Sequence, residues 1–179
     1  MTGFKKLHED HIHQGYVISL ATGHFETPTG EPMTRDIVHH PGAVSVVAVR
    51  DGRAIMVRQY RAACDVELLE IPAGKRDIAA EPPELTAERE LAEEVGLQAR
   101  DFILLSRFYN SAGFCDEFSW VFLTTDFVDV PVDLQGPEEQ HMSIEWVDLT
   151  SVPAMIADGR LQDAKSIIGL TLARAHLGI

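Results

Sequence analysis

The sequence predicts an α+β fold, a mixed sheet set between helices, and three observations carry that prediction. Runs rich in β-branched residues come in pairs, the plainest being 43–50 (AVSVVAVR) and 54–60 (AIMVRQY), split by the hairpin dipeptide Asp51-Gly52. One long helical pattern, from Pro82-Pro83 to Gly96, interrupts these runs, and helical stretches also close the chain. The resulting order is β-rich, helix, β-rich, helix, which is not the regular alternation of a parallel βαβ repeat. No internal repeat and no linker divides the 179 residues.

Taken in order, residues 1–15 (MTGFKKLHEDHIHQG) are polar and rich in histidine. His8, His11 and His13 have metal-ligand chemistry, but a polar terminus with no geometric partner is expected to be solvated. Residues 16–21 and 36–39 read as strands of an antiparallel N-terminal meander, separated by the Pro- and Gly-bearing turn at 27–32. The pair around Asp51-Gly52 follows, and then a run at 67–71 that leads into Pro72-Ala73-Gly74.

Pro82 and Pro83 suit a helix start, where a missing N–H costs nothing, and Gly96 suits a left-handed cap at the far end. Ala87, Leu91 and Val95 make one apolar stripe along that helix. Beyond it, residues 102–109 and 117–127 read as strands around the loop 110–116, and 128–136 as a Pro- and Asp-rich connection. Residues 144–147 read as a last strand. Two helical stretches end the chain, near 151–157 and about 162–176, the second with Ala164, Ile167, Ile168 and Leu172 as its expected inner face. Trp120 and Trp146 lie in apolar strand patterns and are expected in the core.

Composition bounds the function. Hydrophobic content of 45% and charged content of 24% are ordinary for a globular protein large enough to bury a proper core. A formal net charge of −13 argues against a nucleic-acid backbone as partner, since phosphates are repelled. It leaves room for a small phosphate-bearing substrate that meets metal ions. Cys64 and Cys115 are too few for a disulfide framework and read as reduced, buried thiols. With no leader-like segment and no membrane-length apolar run, no membrane partner is expected and the cytoplasm is the expected compartment.

The chemistry concentrates in the helix between Pro82-Pro83 and Gly96. Glu90 and Glu94 stand at i, i+4 with Glu93 between them, all in its C-terminal half. The helix dipole disfavours negative charge there by roughly 0.3–1 kcal/mol per group, and like charges at this spacing cost about 0.2–0.5 kcal/mol more. Arg89 can pair with Glu93 one turn on, which leaves Glu90 and Glu94 uncompensated. A hard divalent cation removes the conflict, because Mg²⁺ takes carboxylate oxygens and keeps waters for a phosphate substrate. On charge spacing alone a solvated acidic helix face is the commoner fate of such a run.

The longer string resembles the Nudix box, G-x5-E-x7-R-E-U-x-E-E-x-G-U with U a bulky apolar residue. Glu81, Arg89, Glu90, Leu91, Glu93, Glu94, Gly96 and Leu97 stand at the family's spacing, while Gly74 lies one residue too far upstream. Flanking segments resemble those of the ADP-ribose pyrophosphatases within that family. Arg58-Gln59-Tyr60-Arg61 is similar to the Q-x-R strand, and Glu70-Ile71-Pro72-Ala73-Gly74 to the E-L-P-A-G segment. Thr34-Arg35-Asp36 with Gly42-Ala43-Val44 is similar to the R-E segment and G-A-V strand, and residues 159–166 to G-x-I-x-D-A-K-T/S. One departure is Ala112, which stands where relatives that hydrolyse ADP-ribose carry proline.

The resemblance implies an α/β/α sandwich over residues 41–179, preceded by N-terminal strands over 1–40 that a homodimer exchanges. It implies metal-dependent hydrolysis of ADP-ribose to AMP and ribose 5-phosphate, with Mg²⁺ or Mn²⁺ held by Glu90, Glu93, Glu94 and the Ala73 carbonyl. Arg89 would orient these carboxylates. Glu138 or Glu139, in a loop before an apolar strand, would be the catalytic base. Arg35, Asp36, Arg61 and Glu70 would serve the substrate. Other nucleotide sugars, dinucleotides such as NADH, or a non-catalytic ADP-ribose sensor are the alternatives, and the last would be expected to lack box glutamates.

Overall fold

The polar N-terminal stretch is not a solvated tail but a strand. In the computed structural model, which describes residues 3–134 and 139–179, β1 (Lys5–Gln14) pairs antiparallel with β2 (Ser19–Glu26), and β2 pairs with β3 (Pro32–His39). Most of β1 is exposed on both faces, so no apolar alternation marks it in the sequence. Backbone pairing with β2 holds it, helped by the Lys5–Glu26 and Asp10–His24 side-chain contacts. These strands and Phe108–Phe118 make one compact unit. The loop in the second piece runs along β3: Val38 N–H donates to the Phe114 carbonyl at 2.7 Å, and Asp116 N–H to the Val38 carbonyl at 3.1 Å. His39 links two more side chains, Nδ1 to Asp116 at 2.5 Å and Nε2 to Glu9 at 3.0 Å.

The second unit comprises Ala43–Arg107 and Ser119–Ile179. Its hairpin forms as the dipeptide requires. Asp51 (φ 53°) and Gly52 (φ 72°) both take the left-handed conformation of a type I′ turn, joining β4 (Ala43–Arg50) to β5 (Arg53–Arg61). β6 (Val66–Glu70) pairs with β5, and β7 (Ala73–Lys75) with β4. The signature helix α1 spans Pro83–Val95 and ends at Gly96 (φ 65°), whose N–H donates back to the Ala92 carbonyl. Then come β8 (Leu97–Ala99), β9 (Ile103–Tyr109), β10 (Phe118–Thr124), β11 (Phe127–Asp129) and β12 (Ser143–Asp148). Two helices close the chain, α2 (Val152–Ala157) and α3 (Ala164–Leu177).

The main sheet runs β12-β5-β4-β10-β9, with β4 and β10 parallel and the β4–β5 and β5–β12 pairs antiparallel. β7, β8 and β11 are short strands that sequence periodicity did not reveal. Period-2 alternation places Val44, Val46 and Ala48 of β4 in one core cluster with Ala87, Leu91 and Val95 of α1. On the other face lies α3, packed so closely that a Cβ built on Gly169 would come within 2.9 Å of Val121 Cγ1 and 3.1 Å of Val47 Cγ2. The sheet thus sits between helices, as expected.

Three details differ from expectation. The buried face of α3 is Ser166, Gly169, Leu170 and Ala173, not Ala164, Ile167, Ile168 and Leu172, because small residues around Leu170 let the helix approach the sheet closely. Trp146 is 39% exposed, whereas Trp120 does pack against the core cluster, half-buried with the Arg76 guanidinium 4.5 Å from its ring centre. Both cysteines are free, but Cys64 is exposed. Among the described residues no helix is long and apolar enough to cross a membrane.

Candidate active site

α1 brings two of its box carboxylates, Glu90 and Glu94, against the short strand β7. Glu94 is only 4% exposed, and its Oε2 accepts the Ala73 backbone N–H at 3.0 Å. One residue on, Gly74 lies so close to Glu90 that a Cβ there would come within 1.8 Å of the Glu90 carboxyl carbon. Glycine is required by this approach, not by an unusual backbone angle. Glu90 and Glu94 therefore point inward to the strand, and the solvated acidic face anticipated from charge spacing is not what forms.

Burial pushes the Glu94 carboxyl up to about 8, with the charges of Glu90 and Glu139 adding to it. Burial likewise raises Glu90 to about 7 against the opposing charge of Arg89. Arg89 reaches further than one turn: it donates to Glu90 Oε1 at 2.8 Å and Glu93 Oε2 at 3.3 Å, and it lies 3.4 Å from Asp77 and 3.6 Å from Glu81. The expectation that Glu90 is left uncompensated is thus corrected. Thr86 ties Glu81 to the helix, donating to its Oε2 at 2.7 Å.

A second charged cluster gathers at the end of β6, just before β7. Glu70 is 1% exposed and receives a two-pronged contact from Arg61, Nε at 2.6 Å and Nη2 at 2.5 Å. Lys165 also donates to Glu70 and pairs with Asp163 at 3.0 Å. Burial alone would raise the Glu70 carboxyl, yet the Arg61 hydrogen bonds and the Lys165 charge hold it below the usual carboxylate range. Asp163 caps α3 by accepting Ser166 N–H at 2.9 Å, and Ser166 Oγ accepts Ile71 N–H at 2.8 Å. Glu70, Ile71 and Ala73 are thus each fixed by a partner far along the chain. Lys165, Asp163 and Ser166 received no role from the sequence, although the Asp-x-x-Ser spacing is itself a capping signal.

Arg35 and Asp36 lie in the other unit. There they line a cavity of about 340 Å³ with Phe25, Ile37, Tyr109 and the loop residues Ala112–Asp116. Ala112, the residue in the proline's place, is part of that wall. Glu139 opens a 3-10 turn at Glu139–His141. Glu138 falls outside the described residues. The donors gathered around Glu94 are carboxylate oxygens, the chemistry a hard divalent cation takes. Two carboxyls raised by burial to about 7 and 8 are a charge deficit that such a cation fits.

The NUDIX domain profile matches residues 38–168. The chain is 36% identical over 173 residues to an ADP-ribose pyrophosphatase of Mycobacterium tuberculosis (strain ATCC 25618 / H37Rv), covering 96% of this chain and 84% of that one. It is 37% identical over 163 residues to the ADP-ribose pyrophosphatase of Bacillus subtilis (strain 168), covering 90% and 88%. The fold matches a solved structure described as an ADP compounds hydrolase, with a TM-score of 0.83 and 20% identity over 98% of this chain and 94% of that one.

Proposed function

The chain belongs to the Nudix family, and from that premise we propose that it is a pyrophosphatase that hydrolyses ADP-ribose to AMP and ribose 5-phosphate. The observation that carries the reading is the inward-facing pair Glu90 and Glu94, whose burial makes their negative charge costly without a cation.

The residues that would hold the ion are Glu90, Glu93 and Glu94, with the Ala73 carbonyl beside them. When bound, Mg²⁺ or Mn²⁺ supplies neutralisation of pyrophosphate charge and a water of lowered pKa. Arg89 orients Glu90 and Glu93, and the Ala73 N–H fixes Glu94, so three carboxylates are aimed before substrate arrives. Arg61 contacts the substrate, and Arg35 and Asp36 do so from the other subunit of a homodimer. Glu70 acts through Arg61, which it holds by two hydrogen bonds. Glu138 or Glu139 takes the proton from the attacking water as the new phosphorus–oxygen bond forms and the bridging one breaks. The effect of Glu139 on Glu94 supports an approach from that side.

The chain acts as a homodimer in the cytoplasm on this reading. Support for the dimer comes from β1, an edge strand exposing Leu7 and Ile12 with Phe4 just before it. Ala112 favours, as the second reading, another nucleotide sugar or a dinucleotide such as NADH. A panel of ADP-ribose, GDP-mannose and NADH compared by kcat/KM under Mg²⁺ tests the choice. ADP-ribose should lead, and a clear preference for either other compound overturns the substrate assignment.

A further inference from the structure

Histidine recurs through the first β-strand, and the sheet gives some of it a partner that the linear sequence does not suggest. Continuing the Lys5–Glu26 register regularly would set His8 opposite Gly23. An extra residue, Leu7, shifts the ladder by one, so His8 stands directly opposite His24. Bulges are a common means of re-aiming a side chain. The two imidazoles stack with ring centres 4.3 Å apart and planes 7° from parallel. Asp10, two residues along β1 and therefore on the same face, brings its Oδ2 to 2.9 Å from His24 Nε2. One ligand atom from each of His8, Asp10 and His24 lies within 4.8 Å of the others.

We propose that His8, Asp10 and His24 form a binding site for a borderline transition-metal ion such as Zn²⁺. Imidazole nitrogen suits zinc, nickel and copper, whereas Mg²⁺ and Mn²⁺ favour all-oxygen sets such as Glu90, Glu93 and Glu94. Tetrahedral zinc with bonds of about 2.0–2.1 Å needs donor atoms roughly 3.3 Å apart. Asp10 and His24 are already inside that distance, and His8 is exposed and reaches it by a change of side-chain rotamer. Three protein donors leave the fourth position to water. His11 and His13 stand outside the set. His11 pairs with Ala21 on the opposite face, and His13 pairs with Leu20, four residues before His24. The ion would clamp the edge strand β1 to β2, adding to the backbone pairing and the Lys5–Glu26 and Asp10–His24 contacts that already join them.

The test uses the full chain stripped with a chelator and titrated with Zn²⁺ against a chromophoric competitor, then with Co²⁺ for its visible spectrum. The expected result is one zinc per chain in wild type and in Glu94→Gln, weakened at least about 10-fold in His24→Ala and in His8→Ala, and unchanged in His11→Ala. Co²⁺ should give the intense visible bands of a four-coordinate site. Zinc should also raise the melting temperature of wild type and not that of His24→Ala. A measurement on unaltered protein covers the case of a variant that misfolds: ring-nitrogen resonances of His8 and His24 should shift on adding Zn²⁺ while that of His11 stays. The proposal is overturned if zinc binding is lost in Glu94→Gln but kept in His24→Ala, if His11→Ala weakens it equally, or if the His8 and His24 rings do not respond.

Discussion

The Ala73 backbone N–H donates to Glu94 Oε2 at 3.0 Å, so the strand leading into the signature and the helix carrying its glutamates are fastened at one point. That bond fixes in place a carboxyl that burial pushes up to about 8 even against the bond's own lowering effect. It also explains why the glutamates crowd a helix C-terminus, where the dipole opposes them. The arrangement is costly for the empty fold and suited to a cation.

Replacing either buried carboxylate should separate activity from folding. Glu94→Gln and Glu90→Gln are expected to lower turnover by more than about 100-fold, since even the partners of metal ligands are worth 10–100-fold. The same variants should melt no lower than wild type in metal-free buffer at pH 8, because a repulsive buried charge has been removed. Wild-type turnover in either variant at saturating Mg²⁺ contradicts the ligand assignment.

The same pair predicts how stability follows pH. A carboxyl whose folded pKa is raised binds more protons folded than unfolded. Its contribution is fully present below the unfolded value near 4.5 and is lost as pH rises through the folded value, about 8 for Glu94 and about 7 for Glu90. Metal-free protein should therefore lose thermal stability steadily between pH 5 and 8, and added Mg²⁺ should restore it. Thermal melts across that range with chelator check this. A curve that rises over the window, or one unchanged in Glu94→Gln, contradicts it.

Gly74→Ala probes the approach of β7 to α1. The new methyl would occupy the place of the Glu90 carboxyl, forcing that side chain aside. Misplacement of a reacting group by an ångström costs on the order of 100-fold, so kcat should fall by about that factor while circular dichroism stays native. Unchanged kcat means Glu90 does not act from this position.

Lys165→Met leaves the buried Glu70 with Arg61 as its remaining cation. Losing one partner of a buried ion network should cost about 2 kcal/mol, read from the urea unfolding midpoint. A change within about 0.5 kcal/mol would mean that Arg61 alone satisfies Glu70.

Much of this was legible in the residues. Asp51-Gly52 announced its hairpin, Pro82-Pro83 and Gly96 bounded α1, and the spacing from Glu81 to Leu97 identified the signature. What stayed hidden was structure without a periodic signal. β1 is exposed along nearly all its length and is held by backbone bonds and polar cross-strand pairs, which leave no apolar alternation. The inner face of α3 was misread because small residues, Ser166, Gly169 and Ala173, flank Leu170 there and permit the close approach. Arg89 reaches Glu90 and the Asp77–Glu81 loop, and loop geometry cannot be read from helix spacing. Lys165 and Glu70 lie 95 residues apart, beyond any local pattern.

For the base, Glu138→Gln and Glu139→Gln should be assayed for turnover and metal affinity separately. One of them should lose about 100-fold or more in turnover, the usual size of a general-base contribution, with metal binding kept. Normal turnover in both single variants and in the double variant places the base elsewhere.

The central claim is that this chain cleaves the pyrophosphate of ADP-ribose through its buried glutamates. Phosphorus NMR of ADP-ribose incubated with the protein and Mg²⁺ tests it most directly. Wild type should convert the diphosphate signals into equal amounts of AMP and ribose 5-phosphate, and Glu94→Gln should leave them intact. Persistence of ADP-ribose with the wild-type protein, or equal cleavage by the variant, would contradict the account.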